Sequence, residues 1–266
     1  MVILWNNSFY FDSQIYRAKM NEIIGSYFER IHEIGSTNNY AATQLLTKRP
    51  PEGAVFIADS QVDGRGQDSN KWESEPNKNL TFSIIIYPDF LEITRQFEIS
   101  KAISLGVADF LKEMADNVSI KWPNDIYVGK RKVAGILIEN SIRTNKIYSC
   151  IIGIGLNINQ RIFTSDAPNP VSLSQITGKD YNLNDFLSCL CRKIDIRYRQ
   201  LRDREFRRID DDYTEMLYQL SAWSLYSDGN VDFEGKILGV DQIGQLRIEN
   251  RAGEINKFQF KEVIFR

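Results

Sequence analysis

Two segments of the sequence place cationic side chains beside small residues, where an anionic ligand could approach closely. In DGRG, residues 63–66, two glycines flank Arg65, so the backbone can come near a ligand on both sides of a guanidinium. In KWPNDIYVGKRKVAGILIE, residues 121–139, Lys132 follows a predicted two-residue turn at 129–130. A guanidinium can fork onto a carboxylate or phosphate, and an ammonium meets such a group as a point charge. On a functional interpretation, both segments would contact an anionic substrate.

Each segment also has a purely structural interpretation. Lys132 could extend its ammonium to solvent from a strand end, and Gly-Arg-Gly alone is typical of a mobile surface loop. The loop lacks the Gly-Lys-Ser/Thr ending of a P-loop and the third glycine of the dinucleotide fingerprint. Asn124 and Asp125 suit the turn after Pro123, although Asp125 could instead present its carboxylate to a ribose, an amine or a metal. The length of the glycine loop and its position between two buried strands favour a functional role.

The hairpin sequence predicts which side chains share a face of its second strand. Because side chains alternate along a strand, Lys132, Ala134, Ile136 and Ile138 should lie on one side. The two isoleucines require burial, so we expect Lys132 at the rim of an apolar surface. Ala134 and Gly135 are small and would leave room beside it.

The elements that must position these segments form a mixture of strands and helices. Residues 27–34 alternate as a strand does, and Ser36 or Thr37 can cap a helix that ends before Pro50. Residues 92–114 have apolar side chains at helical spacing. Further strands are predicted at 54–60, 80–88, 118–122 and 147–159, and two charged helices within 183–219. This mixture indicates an α/β or α+β fold.

The composition limits the functional classes. A chain of 266 residues, 42% hydrophobic, can form one large domain and a small one, and a formal charge of −2 gives no bulk affinity for nucleic acid. Three cysteines, at 150, 189 and 191, do not indicate a disulfide framework, so we expect a cytoplasmic protein. No apolar run approaches the length of a membrane span. His32 is the only histidine, which excludes a histidine-based zinc cluster and makes a Ser–His triad a poor candidate.

The character of the sequence changes at Ala222. From there onward it contains short alternating strands separated by glycine turns, with no long helical period. We therefore divide the chain into an N-terminal extension at 1–25, a main domain at 26–221 and a small β-barrel at 222–266. Met20 could be the physiological start of the chain.

Taken in order, five segments resemble the biotin–protein ligase family: STN at 36–38, DSQVDGRG…KW at 59–72, NLTFSIII at 79–86, KWPNDIYVGKRKVAGILIE at 121–139 and IIGIGLNIN at 151–159. Each segment alone is weak evidence, but the ordered set is specific. The resemblance covers about residues 30–175. It implies a class II synthetase-like catalytic domain, in which helices flank a mixed central sheet, followed by an SH3-like C-terminal barrel.

The resemblance also implies a reaction in two steps. Biotin and ATP form biotinyl-5′-AMP and pyrophosphate, and a lysine of a biotin carboxyl carrier domain then attacks the acyl-adenylate. Like charges oppose the approach of the biotin carboxylate to the α-phosphate, so cationic side chains and Mg²⁺ would offset the repulsion. Two alternatives stay open: a lipoate or octanoate ligase or transferase of the same superfamily, and a non-catalytic module that senses biotin.

Residue roles follow from the resemblance, position by position. The implied catalytic residues are Lys132, Arg65 and Asp125. The implied biotin-binding residues are Ser36, Thr37, Asn38, Gln61, Arg65, Gly66, Gln67, Lys132 and Gly135. The implied nucleotide-binding residues are Arg65, Lys121, Asn124 and Asn157. Metal ligands are not assigned. Residues 62–71 would close over biotin and the adenylate, so we expect them to be mobile without ligand and ordered with it.

The chain departs from the family pattern in two places. Many members carry a basic residue where Gln67 stands and a glycine where Ser69 stands, so this loop is less basic and less flexible. Larger members carry an N-terminal helix-turn-helix domain that binds operator DNA. Only 35 residues precede Ser36, so we expect no sequence-specific DNA binding. We also expect no membrane association, and either a monomer or a homodimer.

Overall fold

Two β-sheets form the framework of the molecule, which is described by a computed structural model at residues 15–17, 22–67 and 70–266. The strands of the first sheet are β1 (Ile15–Arg17), β2 (Tyr27–Ile34), β3 (Ala54–Gln61), β4 (Leu80–Ile86), β5 (Val118–Lys121), β6 (Asp125–Val128), β7 (Arg131–Arg143) and β8 (Lys146–Leu156). Their order is β1-β2-β3-β4-β8-β7-β6-β5. The pair β2 and β3 is parallel and the other neighbours are antiparallel, so the sheet is mixed.

Helices cover both faces of this sheet. They are α1 (Thr37–Thr47), α2 (Phe97–Leu111), α3 (Leu173–Thr177), α4 (Leu183–Arg202) and α5 (Phe206–Glu215), with a short 3-10 turn at Ile93–Arg95. The main core contains residues of α2 and α4 together with one face of the sheet. A smaller core lies under α1, where Ala41 packs with Phe56, Ile85 and Ile151. Strand β4 is buried at every position because both of its faces are covered.

The second sheet is antiparallel and C-terminal. Its strands are β9 (Trp223–Ser227), β10 (Asp232–Val240), β11 (Leu246–Asn250), β12 (Ile255–Phe258) and β13 (Ile264–Phe265), in the order β12-β11-β10-β9-β13. It contacts the main domain at Trp122, whose indole Nε1 donates a hydrogen bond to the Gly244 carbonyl at 3.0 Å. The ring of Trp122 also lies 5.1 Å from that of Phe260. Trp122 of the segment KWPND therefore joins the main domain to the C-terminal sheet.

Most of the predicted elements are confirmed. The mixed sheet, the flanking helices and the small C-terminal β-structure agree with the expected fold class. The helix expected within 92–114 is shorter, because a 3-10 turn precedes α2. All three cysteines are free thiols. None of the helices in the described ranges has both the length and the apolar composition needed to cross a membrane. Met20 and Ser69 lie outside the described residues.

The predicted face of Lys132 is wrong, although the two-residue turn before it is confirmed. Val128 pairs with Arg131 and Tyr127 pairs with Lys132, but the register then shifts, so that Ile126 pairs with Ala134 and Val133 is the extra residue. The extra residue is a β-bulge, which rotates the strand and changes the side on which later residues lie. The ammonium of Lys132 consequently lies over Gly135, whereas Ala134 belongs to the main core.

Candidate active site

A cavity of about 160 Å³ opens where the end of β3, the start of α1 and the hairpin of β6 and β7 converge beneath the glycine loop. Eleven of the thirteen residues assigned from the sequence line it, namely Ser36, Thr37, Asn38, Gln61, Arg65, Gly66, Gln67, Asn124, Asp125, Lys132 and Gly135. Segments separated by about one hundred residues in the sequence therefore meet at one site.

The floor of the cavity is a buried polar network at the start of α1. Gln61 accepts hydrogen bonds through Oε1 from the backbone N–H and the hydroxyl of Thr37, at 2.9 and 3.1 Å. The hydroxyl of Ser83 lies 2.8 Å from Thr37 Oγ1 and 2.6 Å from Asn38 Oδ1. Thr37, Asn38 and Ser83 are each less than 5% exposed. Buried polar groups are held in place by such bonds, so the floor offers a fixed pattern of donors and acceptors.

Arg65 holds the glycine loop against the rest of the site. Its guanidinium donates to Asn39 Oδ1 at 2.5 Å and to Glu139 Oε1 at 2.6 Å. Within the loop, Trp72 N donates to the Gly64 carbonyl at 2.9 Å and Gly66 N donates to the Asn70 carbonyl at 2.7 Å. The loop therefore has internal hydrogen bonds, and Arg65 lies in the wall of the cavity.

Lys132 and Asp125 form an ion pair on the opposite wall. The Lys132 ammonium lies 2.8 Å from Asp125 Oδ1, and their side chains are 24% and 29% exposed. The ammonium also lies 5.7 Å from the centre of the Trp72 ring. Asn124 is fixed beside them by a hydrogen bond from its amide to the Ile136 carbonyl. Carboxylates thus position Lys132 and Arg65 in the cavity wall, Asp125 for Lys132 and Glu139 for Arg65.

Two glycines of β8 allow the side chains of the site to approach the sheet. A Cβ atom on Gly155 would lie 2.2 Å from the Trp72 ring, and one on Gly153 would lie 2.4 Å from Asn38 Oδ1. Real Cβ atoms do not come so close, so a larger residue at either position would displace its neighbour. Trp72 Nε1 lies buried against Gly155 and has no hydrogen-bond partner among the described residues.

Lys121 and Asn157 do not line this cavity. Lys121 pairs with Asp125 between β5 and β6, but its ammonium lies over the rings of Tyr127 and Phe265, at 5.2 and 4.8 Å. Burial lowers the pKa of Lys121, and the charge of Asp125 opposes this effect. Asn157 is 3% exposed, and its amide donates to the Val171 carbonyl, so it fastens the segment that follows β8.

Several residues of the site were not identified from the sequence. Ser83 and Thr81 lie on β4 and face the cavity side of the sheet, and Glu139 on β7 binds both Arg65 and Asn38. A signal for Ser83 was present, since it is a polar residue in the apolar run LTFSIII. No comparable signal in the sequence marks Glu139, which stands at the charged end of the hairpin strand.

Comparison with known proteins decides between the possible families. Residues 30–157 match the biotin/lipoate A/B protein ligase family. The chain is 30% identical to the bifunctional ligase/repressor BirA of Bacillus subtilis over 254 residues, which is 91% of this chain and 75% of that protein. It is 27% identical to the biotin–(acetyl-CoA-carboxylase) ligase of Paracoccus denitrificans, over 75% of this chain and 85% of that one. This chain belongs to the biotin–protein ligase family.

A solved structure of the biotin–protein ligase family agrees with this assignment. The biotin protein ligase of Aquifex aeolicus, in complex with biotin and ATP, resembles this chain with a TM-score of 0.75 and 26% identity. The similarity covers 90% of this chain and 98% of that one. The resemblance inferred from the five segments and the predicted fold class are both confirmed.

Proposed function

We propose that this biotin–protein ligase uses Arg65 and Lys132 to bring the carboxylate of biotin to the α-phosphate of ATP. The observation that carries the proposal is that both cations lie in the wall of one cavity whose floor contains the STN segment. The activity itself follows from the family: ATP activates biotin as biotinyl-5′-AMP, and the biotinyl group passes to a protein lysine. The individual residue roles are our proposal.

In the first step, a carboxylate oxygen of biotin attacks the α-phosphorus of ATP, and the bond to the β-phosphate breaks to release pyrophosphate. The two anions repel each other, and cations that already lie beside the reacting groups offset that repulsion. Lys132 would turn from Asp125 towards the biotin carboxylate, and Arg65 would turn from Glu139 towards the phosphate. Because both cations already lie in the cavity wall, their position as well as their charge contributes to the rate.

In the second step, the amine of a carrier lysine attacks the acyl carbon, an amide bond forms and AMP leaves. Only a neutral amine is nucleophilic, so a nearby base must take up its proton. Asp125 is the residue we assign to this role, because its carboxylate lies in the cavity wall beside Lys132. A biotin carboxyl carrier domain of a carboxylase is the acceptor that we propose.

Mg²⁺ fits the donors that this chain offers. Protein sites usually hold Mg²⁺ through one or two carboxylates together with substrate phosphates. Asp125 lies in the cavity wall, and the described residues contain no cluster of three or more potential metal ligands. ATP would therefore supply most of the oxygen ligands, with Asp125 as the protein's contribution. When bound, Mg²⁺ would neutralise part of the phosphate charge.

The polar floor favours biotin over lipoate or octanoate. A linear acyl chain requires an apolar tunnel, whereas the ureido ring of biotin requires hydrogen-bond partners, and Thr37, Asn38 and Ser83 form a polar floor. Pyrophosphate release with ATP tests this choice. Biotin should support release, while lipoate and octanoate should not. Release with lipoate alone would overturn the assignment, and release with none of the three would favour a sensing module without catalysis.

A further inference from the structure

Glu139 lies between the floor of the cavity and the glycine loop, and it binds a residue of each. Its Oε2 accepts a hydrogen bond from Asn38 Nδ2 at 2.7 Å, and its Oε1 accepts one from Arg65 Nη2 at 2.6 Å. The Glu139 side chain is 36% exposed, whereas Asn38 is 3% exposed. A single carboxylate thus joins a buried amide of the floor to the cation of the loop.

An unbroken series of side-chain hydrogen bonds continues from Glu139 through the floor. The hydroxyl of Ser83, which is fully buried, contacts both Thr37 Oγ1 and Asn38 Oδ1. A hydroxyl has one proton and can donate it to one of these oxygens at a time. The complete series of hydrogen-bonded side chains is Gln61, Thr37, Ser83, Asn38, Glu139 and Arg65. A ligand that bonds to Thr37 or Asn38 therefore changes the bonding available to Glu139.

The two contacts of Glu139 require a carboxylate at this position. Both of its partners are donors, and a carboxylate can accept on both oxygens at once. Glutamine has one accepting oxygen, so at position 139 its NH₂ group would face either the Arg65 guanidinium or the Asn38 amide. The change Glu139→Gln therefore breaks one of the two contacts while it keeps the size of the side chain.

We propose that Glu139 is a positioning residue that couples occupation of the biotin pocket to the position of the glycine loop. Without ligand, it holds Arg65 in the cavity wall as a neutral pair. With biotin on the floor, Asn38 keeps Glu139 in place and Glu139 keeps Arg65 over the pocket, and the phosphate of ATP then replaces Glu139 as the partner of Arg65. The inference rests on the proposed function, because biotin is the ligand that contacts the floor.

Hydrogen exchange of the loop measured by mass spectrometry tests this coupling. Peptides that cover residues 62–72 are followed with and without biotin in the parent and in Glu139→Gln. We expect ligand-free exchange to be about twofold to fivefold faster in the variant, which is the range for a partly exposed ion pair. We also expect biotin to protect the loop less than in the parent. The variant Glu139→Asp, which keeps both accepting oxygens, should restore part of the protection.

Asp63→Asn is the matched control, because it removes the other ion pair of the loop. Asp63 contacts Lys71 at 3.4 Å and both side chains are largely exposed, so this pair does not join the loop to Asn38 as Glu139 does. This control should keep the parent's protection by biotin, and all variants should keep the parent's melting temperature. Equal loop exchange in the parent and Glu139→Gln, with biotin protecting both, would overturn the coupling but leave the proposed function intact. A parent in which biotin neither binds nor protects the loop would overturn both.

Discussion

The ammonium of Lys132 lies 2.8 Å from the carboxylate of Asp125, and the pair forms one wall of the cavity that also contains Arg65. A bulge in the hairpin brings Lys132 to this side of the sheet, away from the apolar residues that follow it. The pair therefore holds a cation ready inside the cavity. Its purpose, in our account, is to receive the carboxylate of biotin.

Removal of the Lys132 charge should impair adenylation and leave the fold intact. For Lys132→Ala we expect pyrophosphate release to fall about 10²-fold to 10³-fold, the usual loss when one preorganised electrostatic contact is removed. The side chain is partly exposed, so the melting temperature should change little. Lys130→Ala, in the exposed turn of the same hairpin, is the control and should react as the parent does. Unchanged turnover of Lys132→Ala would refute the role assigned to this residue.

Removal of the Arg65 side chain should weaken retention of the reactive intermediate. In Arg65→Ala the loop loses its contacts with Asn39 and Glu139 and its cation for the adenylate. Biotinyl-AMP should then escape and label lysines of a bystander protein added to the reaction. Lys78→Ala, which removes an exposed cation that does not line the cavity, should not increase this labelling. Bystander labelling at the parent's level in Arg65→Ala would count against the assignment.

Glu73 should fasten the segment after β8 in a manner that depends on pH. Its carboxylate accepts hydrogen bonds from the backbone N–H groups of Thr164 and Ser165 and from Gln160 Nε2. Burial raises the pKa of Glu73, but hydrogen bonds from the side chains and the backbone of Ser165 and Thr164 together outweigh burial, so the pKa lies below its ordinary value of 4.5. Its contribution to stability is therefore present above pH 4.5 and is lost as the pH falls through the lower folded value.

The variant Glu73→Gln tests this contribution. At pH 7 we expect it to unfold at a lower urea concentration than the parent and to show faster hydrogen exchange at residues 160–165. Below about pH 4 the difference between the two proteins should shrink, because the parent also loses the charge. Glu75→Gln, two residues away and exposed, is the control. A difference that stays constant from pH 7 to pH 3 would contradict this account.

The contact between Trp122 and the C-terminal sheet should contribute to stability. Trp122→Phe keeps an aromatic ring next to Phe260 but removes the hydrogen bond from the indole to the Gly244 carbonyl. That carbonyl would then lack its partner, so we expect a loss of about 1 kcal/mol in urea unfolding. Trp223→Phe is the control, since Trp223 is 39% exposed. Equal stabilities of the two variants would show that the indole contact contributes nothing.

The predictable part of the fold was the part governed by local patterns. Alternation predicted β2, the polar run at 36–38 predicted the start of α1, and glycine predicted the hairpin turn. The side on which Lys132 lies could not be obtained in this way. A bulge depends on how two strands fit together, and a regular alternation of residues contains no sign of it.

The residues of the site were predictable where one motif supplies several of them. They were less predictable where tertiary packing determines which side chains reach the cavity. Gln61, Arg65 and Lys132 lie in one cavity because the ends of their elements converge. Lys121 and Asn157 were assigned through the same motifs, yet the first lies under the C-terminal sheet and the second fastens a loop. Glu139 was missed because its two partners are 74 and 101 residues away in the sequence.

Mass spectrometry of a biotin carboxyl carrier domain, incubated with this chain and biotin, tests the central claim most directly. With ATP present, the account predicts a gain of one biotinyl group on a single lysine of the carrier. It predicts no gain without ATP, and a severe loss of carrier biotinylation when Lys132→Ala replaces the parent. A carrier that stays unmodified with ATP, or that is modified equally by Lys132→Ala, would contradict it.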